Sequence, residues 1–229
     1  MKKIMKKKLN PEFDLQRFLL GNLRPEQTRH LYLLLYWPIY AFFFFFVEKV
    51  YRPESYYSVY SPLDDLIPFC ELFLIPYLFW FVYLIGMHVY TLIYDVSAFK
   101  KMMYFIMMTY SATIIIYLLF PTCQDLRPAE FERDNFLTRF MASYYAFDTN
   151  TNVCPSLHCI GGFAVAFAAV SCPRLNTRGW KIFFYTLAML ICASTVFMKQ
   201  HSIVDFFAAI PVCLIAEGFV YRDRYFREK

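Results

Sequence analysis

Apolar runs about as long as a lipid bilayer is thick constrain this chain more than any other feature of it. A helix that crosses the hydrocarbon core needs about 20 mostly apolar residues. Reading for such runs gives six: Leu31 to Val47, Ile67 to Tyr94, Met102 to Phe120, Leu157 to Cys172, Gly179 to Met198 and Ser202 to Tyr221. Composition agrees, since 59% of the 229 residues are hydrophobic and 21% aromatic, against 18% charged. A soluble domain of this size would leave much of that surface in water. In lipid the apolar side chains need no cover, and each helix satisfies its own backbone. The expected fold is all-α: a polytopic membrane protein with six transmembrane helices over residues 31–229, preceded by a segment of residues 1–30.

With six spans both termini share one side, and the basic residues say which. That side carries Lys2, Lys3, Lys6, Lys7, Lys8, Arg17, Arg24, Arg29, Lys100, Lys101, Arg174, Arg178, Lys181, Arg222, Arg224, Arg227 and Lys229. The other carries Lys49, Arg52, Arg127, Arg133, Arg139 and Lys199. An excess of 17 over 6 among the 23 Lys and Arg puts both termini in the cytoplasm. It puts the loops holding Arg127, Pro155 and Lys199 outside. Because the basic residues are dealt out between apolar runs, the net charge of +5 reflects topology and not a nucleic-acid partner.

The basic start is followed by no short apolar run with a small-residue cleavage site, so the first span is expected to stay as an anchor. Between Pro11 and Asn22, Phe13, Leu15, Phe18 and Leu19 alternate with polar residues. This is either an interfacial amphipathic helix or an unstructured tail. The seven cysteines show no metal-type spacing. Cys70, Cys159, Cys172, Cys192 and Cys213 lie in or beside apolar runs, where Cys is usually a small hydrophobe. Cys123 and Cys154 flank a polar loop that, if outside, leaves a disulfide open, and spacing alone does not decide it.

Three segments that map to the outer side carry the chemistry: FPTCQDLRP, with Arg127 and Pro128; NVCPSLHC, with Pro155, Ser156 and His158; and STVFMKQHSIVD, with Ser194, Lys199, His201 and Asp205. His201 and Asp205 are four apart and share a helix face. A carboxylate there can fix the imidazole tautomer and leave the other nitrogen free to attack. A structural His–Asp pair locking two helices gives the same pattern. Pro155 suits a first helical turn. Ser156 and the amides of that helix start would face an anion, although an ordinary capping Ser beside a buried His reads the same. What favours function is coincidence: of four His in the chain, two fall at outer boundaries beside Ser, Lys or Asp. His30 is expected at the interface, and His88 as a hydrogen-bonded residue inside the second span.

These segments resemble the signature of the type 2 phosphatidic acid phosphatase and vanadium haloperoxidase superfamily. That signature has a Lys, six residues and Arg-Pro; then Pro-Ser-Gly-His; then Ser-Arg, five residues, His, three residues and Asp. The resemblance covers roughly the C-terminal half of the chain, in the same order, and the spacing of Ser194, His201 and Asp205 agrees in full. Phe120 stands where the first Lys belongs, Leu157 replaces the Gly, and Thr195 replaces the Arg. Two of three phosphate-clamping cations are therefore missing. Arg127 remains, and Lys199 could substitute from the turn before His201, though as a point charge without the Arg fork. Fewer cations suit a phosphate of lower charge. In this the chain is similar to the branch with inositol phosphorylceramide synthases.

The resemblance implies His201 as the nucleophile on phosphorus and Asp205 as its orienting partner. His158 would be the general acid and then base, with Arg127, Lys199, Ser156 and Ser194 around the phosphate. It implies neither metal nor cofactor. The expected substrate is a lipid phosphate or polyprenyl diphosphate at the outer leaflet of the plasma membrane, hydrolysed through a phosphohistidine. The alternatives are transfer of a phospho-headgroup to an alcohol or lipid acceptor, and a non-catalytic lipid-binding or transport protein on the same scaffold. Asp64 and Asp65 read more readily as a solvated turn than as a headgroup contact. The run from Phe42 to Phe46 reads as lipid-facing.

Overall fold

The structure, a computed structural model, describes residues 11–222. The basic residues Lys2 to Lys8 and Arg224, Arg227 and Lys229 lie outside the described residues. Among the described residues the chain is all-α apart from two short strands. Its helices are α1 (Leu15–Leu19), α2 (Pro25–Thr28), α3 (Tyr36–Phe45), α4 (Pro62–Leu66), α5 (Leu74–Tyr94), α6 (Val96–Leu119), α7 (Phe136–Phe147), α8 (Leu157–Ser171), α9 (Arg178–Phe197) and α10 (Ile203–Glu217).

Among the described residues, five helical stretches are long and apolar enough to cross a membrane: Pro25–Val50, Glu71–Tyr94, Val96–Leu119, Arg178–Phe197 and Ile203–Arg222. Each coincides with an expected span. The fourth expected span is α8, which at 15 residues is shorter than the others. Its surroundings explain how so short a helix is held. α8 packs against α5, α6, α9 and α10 and presents Cys159, Gly161, Gly162, Ala164, Ala166, Ala168 and Ala169, all buried. Small residues let neighbouring backbones come close where no hydrophobic drive separates helix from lipid. At Gly161 the approach is closest: a Cβ there would meet Trp80 Nε1 at 2.7 Å and the Tyr110 hydroxyl at 2.8 Å.

The first span changes winding along its length. A 3-10 stretch, Arg29–Leu35, leads into α3, and a π-wound turn, Phe46–Val50, follows it. Pro38 lies near the start of α3, just past that 3-10 stretch, and brings no N–H to the winding there. Phe42, Phe43 and Phe45 are exposed, as a lipid-facing run requires, while Phe44 turns inward to a cavity described below.

Ahead of that span the chain is docked, not trailing. Phe13 is buried against His30 with ring centroids 5.2 Å apart. The amides of Glu12 and Phe13 donate to Ile93 O, and the Glu12 carboxylate accepts the Val96 amide at 2.9 Å, at the start of α6. The helical part, α1, is only five residues long. His30 is therefore packed inside this junction, and His88 bonds Leu84 O at 2.8 Å within α5, as expected of it.

The loops holding Arg127, Pro155 and the first polar turn are stitched together. Strand β1 (Tyr57–Ser58) pairs in parallel with β2 (Thr122–Cys123), and Cys123 bridges Thr151 on its other side. The Thr122 hydroxyl accepts the amides of Val153 and Cys154. Cys123 and Cys154 are both free thiols. Between them lies α7, capped by Asn135, whose side chain accepts the amides of Leu137 and Thr138.

Candidate active site

The second and third segments meet at the starts of α8 and α10. The Ser156 amide donates to Asp205 O at 3.2 Å, and the Tyr117 hydroxyl on α6 donates to Pro155 O at 2.8 Å. Pro155 lies just before the helix and not in its first turn, because Ser156 is the N-cap and accepts the Cys159 amide. His158 follows in the first turn. Its ring stacks on Tyr77 at 4.3 Å and leans on Trp80 at 4.5 Å, and its Nε2 has no partner.

His201 is delivered by the way α9 ends. The amide of Lys199 bonds Val196 O and that of Gln200 bonds Thr195 O, with Lys199 at φ 51°. This is the left-handed helix stop that glycine usually supplies. Ser202 then caps α10 by accepting the Val204 amide, and Asp205 sits three residues on. His201 Nδ1 lies 2.9 Å from Asp205 Oδ2, which also accepts the Ser202 amide. Asp205 is fully buried and its other oxygen has no partner. Burial alone would lower the His201 pKa. The Asp205 hydrogen bond and charge, with Asp148 adding to them, outweigh it and leave the pKa above its ordinary value.

The two imidazoles meet edge-on, with ring centroids 6.1 Å apart and 62° between their planes. Both line one cavity of about 300 Å³. Its walls are largely aromatic, with Trp37, Tyr40 and Phe44 from the first span and Tyr77 and Trp80 from α5. Its polar members are Glu48, Asp148, Thr149, Thr151, Asn152 and Gln200 beside the histidines.

The other expected site residues are nearby but committed elsewhere. Arg127 donates to Tyr145 O, Asp148 O and Thr149 O and to Gln200 Oε1, at 2.7–3.0 Å, and lies over the Tyr145 ring. It lines a neighbouring cleft with Lys49, Arg52 and Asp148. Lys199 does not reach the histidine cavity, because its Nζ donates to Asp64 O at 2.6 Å. Burial lowers the Lys199 pKa, with Asp64 and Asp65 opposing. Ser194 is buried in α9 and donates to Ile191 O. Neither it nor Ser156 lines the cavity.

The solvated turn expected at Asp64 and Asp65 is corrected at Asp64. Asp65 is exposed, but Asp64 is fully buried. Asp64 accepts Ser202 Oγ at 2.6 Å, the Ile203 amide at 2.8 Å and the Ser61 amide at 2.9 Å. Gln124 was equally silent in the sequence, and its side chain donates to Lys199 O and Gln200 O. Together they pin the turn that carries His201. α7 contributes Tyr144 and Phe147 to the cavity, followed directly by Asp148. Its apolar pairs Phe136–Leu137, Phe140–Met141 and Tyr144–Tyr145 recur every four residues, a helical signal outside the apolar runs.

Comparison of the chain with protein-family models, with curated proteins and with solved structures gives no match.

Proposed function

We propose that the protein is an integral membrane enzyme that works on the phosphate of a lipid, with six crossings counting α8, both termini cytoplasmic and the site facing outward at the plasma membrane. The observation that carries the reading is the histidine pair: His201 held by Asp205 at 2.9 Å, with His158 across a shared cavity at 6.1 Å. An imidazole whose Nδ1–H is held by a carboxylate offers Nε2 as a nucleophile and has its developing positive charge stabilised. Nε2 of His201 attacks phosphorus, and the bond from phosphorus to the lipid oxygen breaks. His158 passes a proton to that oxygen. His158 then takes a proton from water, whose oxygen displaces the histidine and releases phosphate.

A second reading, transfer to an alcohol or lipid acceptor in place of water, is favoured by the cations. Arg127 is spent on four acceptors and Lys199 on Asp64 O. A cavity with two carboxylates and no free Arg or Lys among its lining residues suits a phosphodiester better than a dianionic monoester.

Purified protein incubated with labelled lipid phosphates and phosphodiesters separates the readings. Free phosphate without an added acceptor supports hydrolysis, and a new phospholipid supports transfer. A His201→Ala protein that turns over as fast as the original would remove His201 as the nucleophile in both readings. An original protein that turns over none of these lipids would leave a non-catalytic lipid-binding role.

A further inference from the structure

The cavity has a second polar face that the histidine chemistry leaves unused. Glu48, 8% exposed, accepts Asn152 Nδ2 at 2.9 Å and the Thr149 hydroxyl. It sits in the π-wound end of the first span, where a carboxylate is costly unless it lines a cavity or serves a function. Asp148 lines the same space. Two amides complete the face. Asn152 Oδ1 and Gln200 Nε2 are buried without partners, in side chains belonging to residues 6% and 2% exposed that both line the cavity. A buried polar atom left unpaired is costly, so each of these calls for a ligand atom of the complementary kind.

Sorted by sign, the groups divide. Gln200 Nε2 is a donor on the residue next to His201, and it suits a phosphate oxygen. Glu48, Asp148 and Asn152 Oδ1 are acceptors, and they suit a group carrying N–H or O–H. We infer that this face is a headgroup subsite for a lipid phosphodiester whose headgroup donates hydrogen bonds, through a primary ammonium or hydroxyls. The inference rests on the phosphate reading at His201 and adds to it the class of lipid. A trimethylated ammonium has the charge but no N–H. It would leave Asn152 Oδ1 unpaired and give the carboxylates no new donor, and sites built to bond a donor reject analogues that lack it.

The test is equilibrium binding of phosphatidylethanolamine, phosphatidylglycerol and phosphatidylcholine to the full chain in detergent. The readout is fluorescence, since Trp37 and Trp80 line the cavity. At least one of the two donor-bearing lipids is expected to bind about tenfold or more tightly than phosphatidylcholine. Tighter ethanolamine lipid would identify an ammonium partner, and tighter glycerol lipid a hydroxyl partner. Glu48→Gln is expected to shrink that ratio while the protein still melts cooperatively. Phosphatidylcholine binding as tightly as both others, none of the three binding, or a ratio unchanged in Glu48→Gln would overturn the inference. The comparison among lipids on the unmutated chain decides the matter even if the variant does not fold. Binding preference without turnover would sink the chemical reading and leave the subsite standing; turnover indifferent to headgroup would do the reverse.

Discussion

Asp64 accepts the Ser202 hydroxyl at 2.6 Å across 138 residues of sequence, and its second oxygen takes the Ile203 amide. One buried carboxylate in the turn before the second span thus holds the start of α10, two residues from His201. Asp64→Ala takes the acceptor from the buried Ser202 hydroxyl and from the part-buried amides of Ser61 and Ile203, at a combined cost of about 2–3 kcal/mol. The expected result is a clear drop in melting temperature in detergent. Turnover in the surviving folded fraction should fall as well, because His201 is no longer fixed.

Asp205 is expected to matter far more to rate than its size suggests. In Asp205→Asn the Nδ1–H of His201 loses its charged acceptor, and turnover should fall on the order of 10²–10⁴-fold with substrate binding little changed. Steady-state kinetics on a lipid phosphodiester check this. Trapping of phosphate on a residue other than His201 would overturn the assignment.

The raised pKa of His201 sets the pH behaviour. The nucleophile must be unprotonated, so the acid limb of kcat/KM should lie above pH 6.5, the ordinary histidine value. Asp205→Asn should move that limb to lower pH. For stability the sign is opposite: a group whose pKa is higher in the folded state stabilises below its unfolded pKa. That contribution is lost as pH rises through the folded one. Melting curves at a series of pH values would show it, and the slope should flatten in His201→Ala.

Arg127 is a brace in this structure. Arg127→Lys keeps the charge but cannot span three carbonyls and the Gln200 amide. A loss of about 2–3 kcal/mol is expected, since bonds to a charged donor are worth about 1.5–3 kcal/mol each and some will be replaced by water. Chemical denaturation in detergent would measure it. A variant as stable as the parent would show that the guanidinium is free to leave these partners for a phosphate.

Gly161→Ala tests the packing behind His158. The new methyl would come within 2.7 Å of Trp80 Nε1, in the ring that supports His158. Overpacking of this kind costs about 1–3 kcal/mol. Stability and turnover should fall together, with a change in tryptophan fluorescence.

The helices were legible because each span announces itself by length and apolarity, and these are local properties. His158, His201 and Asp205 were legible as a spacing, and the structure brings them together. Asp64, Glu48 and Gln124 were not, because what makes them important is a partner on the far side of the chain: Ser202, Asn152 and Lys199. A polar residue near a turn looks the same whether it is solvated or buried. Lys199 failed in the other direction. Its sequence position beside His201 suggested a phosphate contact, but the left-handed turn at that residue goes with an Nζ bonded to Asp64 O.

The shortness of α8 carries a consequence for the surrounding lipid. Fifteen residues rise about 22 Å, against a hydrocarbon core of about 30 Å. In the proposed six-crossing arrangement, with the shortfall taken up at the end that carries His158, that residue would be recessed below the level of the neighbouring phosphates. A lipid would then have to sink out of its leaflet, or the leaflet to dip, before its phosphorus came within reach of the imidazoles. Bilayer thickness would then gate the proposed reaction, and longer acyl chains in the host membrane should slow it.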